Sequence, residues 1–134
     1  MARILVVHPD EEVRQEVVFT LEEVGFEVIS ATGGLEPLDE TYDSYADLIV
    51  LAEHLPLINA DLPYLRIRQA SNVPIIILGE DSQEWAGVDF LESGADVYMT
   101  NPLNLRLLVA WVRSLLRRTK GLDIASRTDL DGRD

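Results

Sequence analysis

Residues 47–56 read DLIVLAEHLP. Four large apolar side chains stand in succession, and a Leu-Pro pair turns the chain soon after. A run this short and this uniformly apolar is the pattern of a strand buried on both faces, as in the parallel sheet of an α/β domain. It ends on Ala52, followed by Glu53 and His54. Ligands and chemistry in such sheets gather outside the carboxyl ends of the strands. The residue there is an alanine, which has no reactive group.

Four further apolar runs flank it: RILVV at 3–7, FEVIS at 26–30, VPIIIL at 73–78 and ADVYM at 95–99. Helical patterns alternate with them. Asp10 can cap a first helix with Glu11 and Glu12 in its opening turn, Val13, Val17, Leu21 and Val24 on one face, and Gly25 at its end. The segment after the second run contains Gly33-Gly34 and Pro37, so a short or irregular second helix is expected. A third helix is expected around 62–70, and a fourth from Asp81 or Ser82 through Ser93, closed by Gly94. The fifth and most amphipathic helix is read over Leu103–Arg118, with Leu105, Leu108, Val109, Val112, Leu115 and Leu116 as its core stripe. Residues 1–119 form the expected domain, and 120–134 a polar tail or linker. Alternating βα units imply an α/β fold with helices on both faces of a parallel sheet. Five such units fit the flavodoxin-like strand order 2-1-3-4-5.

Composition narrows the partners. The chain has 134 residues, 47% hydrophobic and 26% charged, as expected of one globular domain without cysteine. Its net charge of −13 is uneven: residues 1–100 carry 20 acids and 4 bases, residues 101–134 carry 4 acids and 7 bases. So acidic a body repels nucleic-acid phosphates, and no nucleic-acid binding through this domain is expected. Arg113, Arg117, Arg118 and Lys120 suit the end of a helix, where cations complement the dipole. No run approaches a membrane span, and the opening apolar stretch is too short for a signal peptide, so no membrane contact and a cytoplasmic location are expected.

The segments RILVVHPDEEVRQ, DLIVLAEHLP, VPIIILGE and GADVYMTNPL resemble, in order and spacing, the four signature blocks of response-regulator receiver domains, over about residues 2–118. That resemblance implies an acidic pair after the first strand for Mg²⁺, a phosphoacceptor aspartate ending the third, a hydroxyl residue ending the fourth, and a lysine before a cis-linked proline after the fifth. Those positions fall here on His8 and Pro9, on Ala52, on Gly79 and on Asn101, before Pro102. Alanine has no nucleophile, proline offers no side-chain oxygen to a metal, and glycine and asparagine supply neither hydroxyl nor charge for a phosphoryl group. The expectation is a receiver that is neither phosphorylated nor an enzyme, with no cofactor. A displaced metal site from Asp10, Glu53, Glu80, His8 and His54 is disfavoured. Asp10 has a role as helix cap, Glu53 and Glu80 read as solvated loop carboxylates, and His8 as a partly buried strand-end residue.

The segment NPLNLRLLVAWVRSLLRR is similar to the last receiver helix of winged-helix transcription regulators. Those resembled proteins pair through a face made by the fourth helix, fifth strand and fifth helix. Carried over, its ion-pair positions are Asp96 with Arg113, Val97 with Trp111, and Asp89 with Leu107. Only the first can pair by charge. An interface holding Val97 and Trp111 is expected to be more permanent than one of exposed ion pairs, each worth about 0–1 kcal/mol. Trp111 can alternatively cover the domain's own core, and Trp85 can extend the patch. Tyr98 matches the aromatic that turns inward when receivers activate, and is expected to be frozen in one rotamer. The leading expectation is a homodimer that signals without phosphorylation, with an effector domain or partner protein. A stand-alone adaptor, and a small-ligand sensor using the pocket above Ala52 and Gly79, are the alternatives.

Overall fold

The structure is a computed structural model that describes residues 2–32, 46–54, 72–80, 86–100 and 103–127. Five parallel strands form one sheet in the order β2-β1-β3-β4-β5: β1 (Arg3–Val7), β2 (Glu27–Ala31), β3 (Leu48–Ala52), β4 (Ile75–Leu78) and β5 (Val97–Met99). This is the order expected from the sequence. The described helices are α1 (Glu11–Glu23), α2 (Ala86–Glu92) and α3 (Leu105–Arg127), the first, fourth and fifth of those expected. The expected second and third helices, Trp85, and the Asn101-Pro102 bond lie outside the described residues.

All five side chains of β3 and all four of β4 are buried, which is why these runs show no polar alternation. Their side chains divide between two cores. Ile4, Val6, Leu48, Val50, Ile76 and Leu78 meet Val17 and Leu21 of α1 and the α3 stripe. Leu5, Val7, Ile49, Leu51, Ile75 and Ile77 meet the opposite layer, where Phe90 of α2 and Tyr98 pack. Each buried Val, Leu or Ile contributes roughly 1.5–3 kcal/mol, so a sheet covered on both faces is the main source of stability.

The helix ends follow from local chemistry. Asp10 Oδ1 accepts from the amides of Glu12 and Val13 at 2.9 and 3.2 Å, capping α1. At its other end Gly25 N–H donates to Glu22 and Phe26 N–H to Leu21, with Gly25 at φ 104°. Gly94, at φ 117°, ends α2 with the same pair of bonds, to Leu91 and from Ala95 to Phe90. Because α1 stops at Glu23, its periodicity does not reach Val24, which is 39% exposed rather than on the core face.

Four strands begin later than the starts expected from the sequence, at Phe26, Asp47, Val73 and Ala95. Phe26 belongs to the α1 cap, so β2 runs from Glu27. Asp47 accepts the Arg3 amide through its side chain and precedes β3. Pro74 lacks an amide and precedes β4, and the Asp96 carboxylate accepts the Ile75 amide at 2.9 Å ahead of β5. Helix α3 differs at both ends. Asn104 caps it through Oδ1 to the Leu107 amide at 3.0 Å, so it starts two residues after Leu103. It runs on to Arg127 rather than ending at Arg118, since one glycine weakens a helix without stopping it.

Candidate functional site

The carboxyl ends of β1, β3 and β4 converge on one edge. Ala52 closes β3 opposite Leu78 and is 3% exposed. Glu53 N–H donates to the Leu78 carbonyl, and Gly79 N–H to the Met99 carbonyl, which ties together the ends of β3, β4 and β5. A cavity of about 310 Å³ opens beside them, bordered by His8, Pro9, Asp10, Gly79, Glu80 and Thr100.

His8 is more buried than its strand-end position suggested, at 7% exposure. Its Nδ1 accepts the Asp10 amide at 3.1 Å, which leaves the ring proton on Nε2. Its own carbonyl accepts from Arg14 at 2.8 Å. Burial lowers the His8 pKa below the ordinary 6.5, the carboxylates of Asp10 and Glu80 oppose that shift, and Arg14 adds to it.

Two acids of this edge are committed elsewhere. Asp10 Oδ1 holds the α1 N-terminus. Glu53, read from the sequence as a solvated loop carboxylate, is only 14% exposed in its side chain. Its Oε1 accepts the Tyr98 hydroxyl at 2.8 Å, while Oε2 lies 3.7 Å from His54 Nε2. Glu80 is exposed. Among the described residues no group of three or more His, Cys, Asp or Glu is placed to hold a metal ion. Mg²⁺ wants several hard oxygens close together. With Ala52 and Pro9 where oxygens are needed and Asp10 spent as a cap, the donor set does not fit that ion.

The second candidate region is the face of α2, β5 and α3. Leu107 and Leu91 are each 46% exposed and Val88 is 43% exposed there. Leu91 and Leu107 flank a groove of about 440 Å³ that Val97, Tyr98 and Trp111 also border. Val97 itself is buried, and Trp111 is half-buried against the core served by α1 and α3. Asp89 and Arg113 are exposed. Asp96 is exposed too, but its Oδ2 already accepts the Ile75 amide, a contact with no local signal in the sequence.

A family model described as "Response regulator receiver domain" matches residues 4–113. The chain belongs to that family. As a receiver it is 40% identical to a "Probable transcriptional regulatory protein" of Picosynechococcus, covering 87% of this chain and 50% of that one. It is 37% identical to the "Transcriptional regulatory protein CpxR homolog" of Haemophilus influenzae, covering 89% and 52%. It is 33% identical to the "Response regulator ArlR" of Staphylococcus aureus, covering 92% and 57%. The chain thus spans about half the length of the curated relatives it matches. Among solved structures, the receiver domain of Francisella response regulator 1452 superposes with a TM-score of 0.81 at 28% identity, over 89% of this chain and 99% of that one. A receiver from Methanospirillum hungatei, also at 0.81 but 23% identical over 90% and 98%, supports the fold alone. No helix among the described residues is long and apolar enough to cross a membrane.

Proposed function

We propose that this receiver signals without aspartyl phosphorylation. It pairs with a second copy through the α2–β5–α3 face and controls transcription through an effector domain. The observation that carries the first part is Ala52 at the end of β3, buried and without a nucleophile, beside two acids already engaged by a helix terminus and by Tyr98. The transcriptional part rests on the relatives being transcriptional and response regulators of which this chain spans about half the length. In this reading residues 1–119 are the receiver unit and 120–134 the connection beyond it, with α3 continuing into that connection.

The pairing reading is supported by Leu91 and Leu107, exposed along one groove, and by the exposure of Val88 and acidic Asp89 on α2 and basic Arg113 on α3. A twofold axis through that face would set each copy's acids against the other's α3. The test has two arms. Incubation with acetyl phosphate and Mg²⁺, followed by intact mass, is expected to show no phosphoryl adduct, and stoichiometric labelling would refute the reading. Sedimentation equilibrium from low micromolar to submillimolar concentration is expected to give a dimer that persists in high salt. A monomer throughout would favour an adaptor that docks on another protein.

A further inference from the structure

Tyr98 lies on β5 opposite Ile77, with its side chain on the α2 side of the sheet. Two glycines face its ring there, Gly79 just after β4 and Gly87 in α2. A Cβ at Gly79 would overlap the Tyr98 hydroxyl and lie 2.5 Å from Cζ. A Cβ at Gly87 would lie 2.5 Å from Cδ2 and 2.7 Å from Cγ. Positive φ angles occur at Gly25 and Gly94, not at these two, so backbone conformation is not what requires glycine here. The tyrosine ring occupies the volume their side chains would take. Phe90 stacks on that ring at 6.0 Å and 19°, and Glu53 receives its hydroxyl at 2.8 Å.

We infer that Gly79, Gly87 and Glu53 form a latch that holds Tyr98 turned into the molecule. Gly79 and Gly87 provide the space, and Glu53 provides the acceptor on the far side. An outward ring would instead swing toward the groove flanked by Leu91, Leu107 and Trp111 and fill part of it. The latch therefore gives the α2–β5–α3 face one standing shape. It deepens the proposed use of that face by naming how the face is set, but it acts within one molecule and does not require a second copy.

Nuclear Overhauser contacts in protein with labelled tyrosines read the ring position directly. The wild type is expected to show contacts from the Tyr98 ring to the Gly87 α-protons and the Phe90 ring. Glu53→Gln, which keeps an oxygen acceptor, is expected to retain them. Glu53→Ala is expected to raise the outward-to-inward ratio by about tenfold, the factor carried by a lost hydrogen bond to a carboxylate. Gly79→Thr displaces the Tyr98 ring and the end of the Glu53 side chain, whose Oε1 would lie 3.0 Å from the new Cβ; both are side-chain ends, so the fold survives. It is expected to abolish the Gly87 contacts and to create contacts with Leu107 and Trp111. A wild-type ring that averages between both positions would overturn the latch, as would a Gly79→Thr protein whose Tyr98 contacts are unchanged. Sedimentation of the same samples keeps the two readings separate. A monomer whose ring contacts are intact upholds the latch and removes only the self-association.

Discussion

The Tyr98 hydroxyl donates to Glu53 Oε1 at 2.8 Å, joining residues 45 positions apart across the ends of β3 and β5. The carboxylate is 14% exposed, so water replaces this partner poorly. Tyr98→Phe keeps the ring and leaves the carboxylate short of a donor. It is expected to lower the unfolding free energy by about 1–2 kcal/mol in urea titrations, with an unchanged denaturant slope.

Restoring an aspartate at the end of β3 is expected not to restore phosphotransfer. Ala52→Asp supplies a nucleophile, but Pro9 still gives Mg²⁺ no oxygen and Gly79 no hydroxyl. Acetyl phosphate labelling is expected to remain absent. Because Ala52 is 3% exposed, the added carboxylate also loses solvation, and a fall in stability of about 1–3 kcal/mol is expected in thermal unfolding.

His8 gives a pH dependence with a definite sign. Its pKa is lowered in the native state, so near 6.5 and somewhat below the unfolded chain takes up a proton that the native chain does not. The His8 contribution to stability is therefore fully present above 6.5 and is lost as the pH falls toward its native value. His8→Asn retains an acceptor for the Asp10 amide and does not titrate. Urea midpoints of the variant are expected to stay flat across the window where those of the wild type decline.

At α1, Asp10→Ala removes the acceptor of two amides that have no other partner in the helix. A loss of about 1 kcal/mol is expected in equilibrium unfolding, and Asp10→Asn is expected to recover most of it.

On the pairing face, Trp111→Ala is expected to weaken self-association by at least ~10-fold in sedimentation, as for a central aromatic anchor. Arg113→Ala is expected to change it less than ~5-fold and only at low salt, because Arg113 is exposed and the carboxylate carried over as its partner already binds the Ile75 amide.

Much of this fold was legible because its signals are local. Unbroken apolar runs marked β1, β3 and β4, and Asp10, Gly25 and Gly94 marked helix ends that the hydrogen bonds reproduce. Strand starts were misread where a side chain takes over a backbone partner, as Asp47 and Asp96 do. Glu53 was misread for a deeper reason. Its role depends on a hydroxyl from β5, and nothing within its own segment reports that contact. A signal did exist elsewhere. Gly87 in a helix costs about 1 kcal/mol against alanine, so it calls for a packing cause, and Tyr98 on β5 is an aromatic large enough to supply one.

The bare Cα of Gly79 has a consequence for what substitution at this edge can add. A hydroxyl side chain there meets the Tyr98 ring before it reaches anything outside the strand ends. A carboxylate at Ala52 enters a position that is 3% exposed. One position resists a new polar group because an aromatic ring fills the space, the other because water is shut out, so the edge is closed to change one residue at a time.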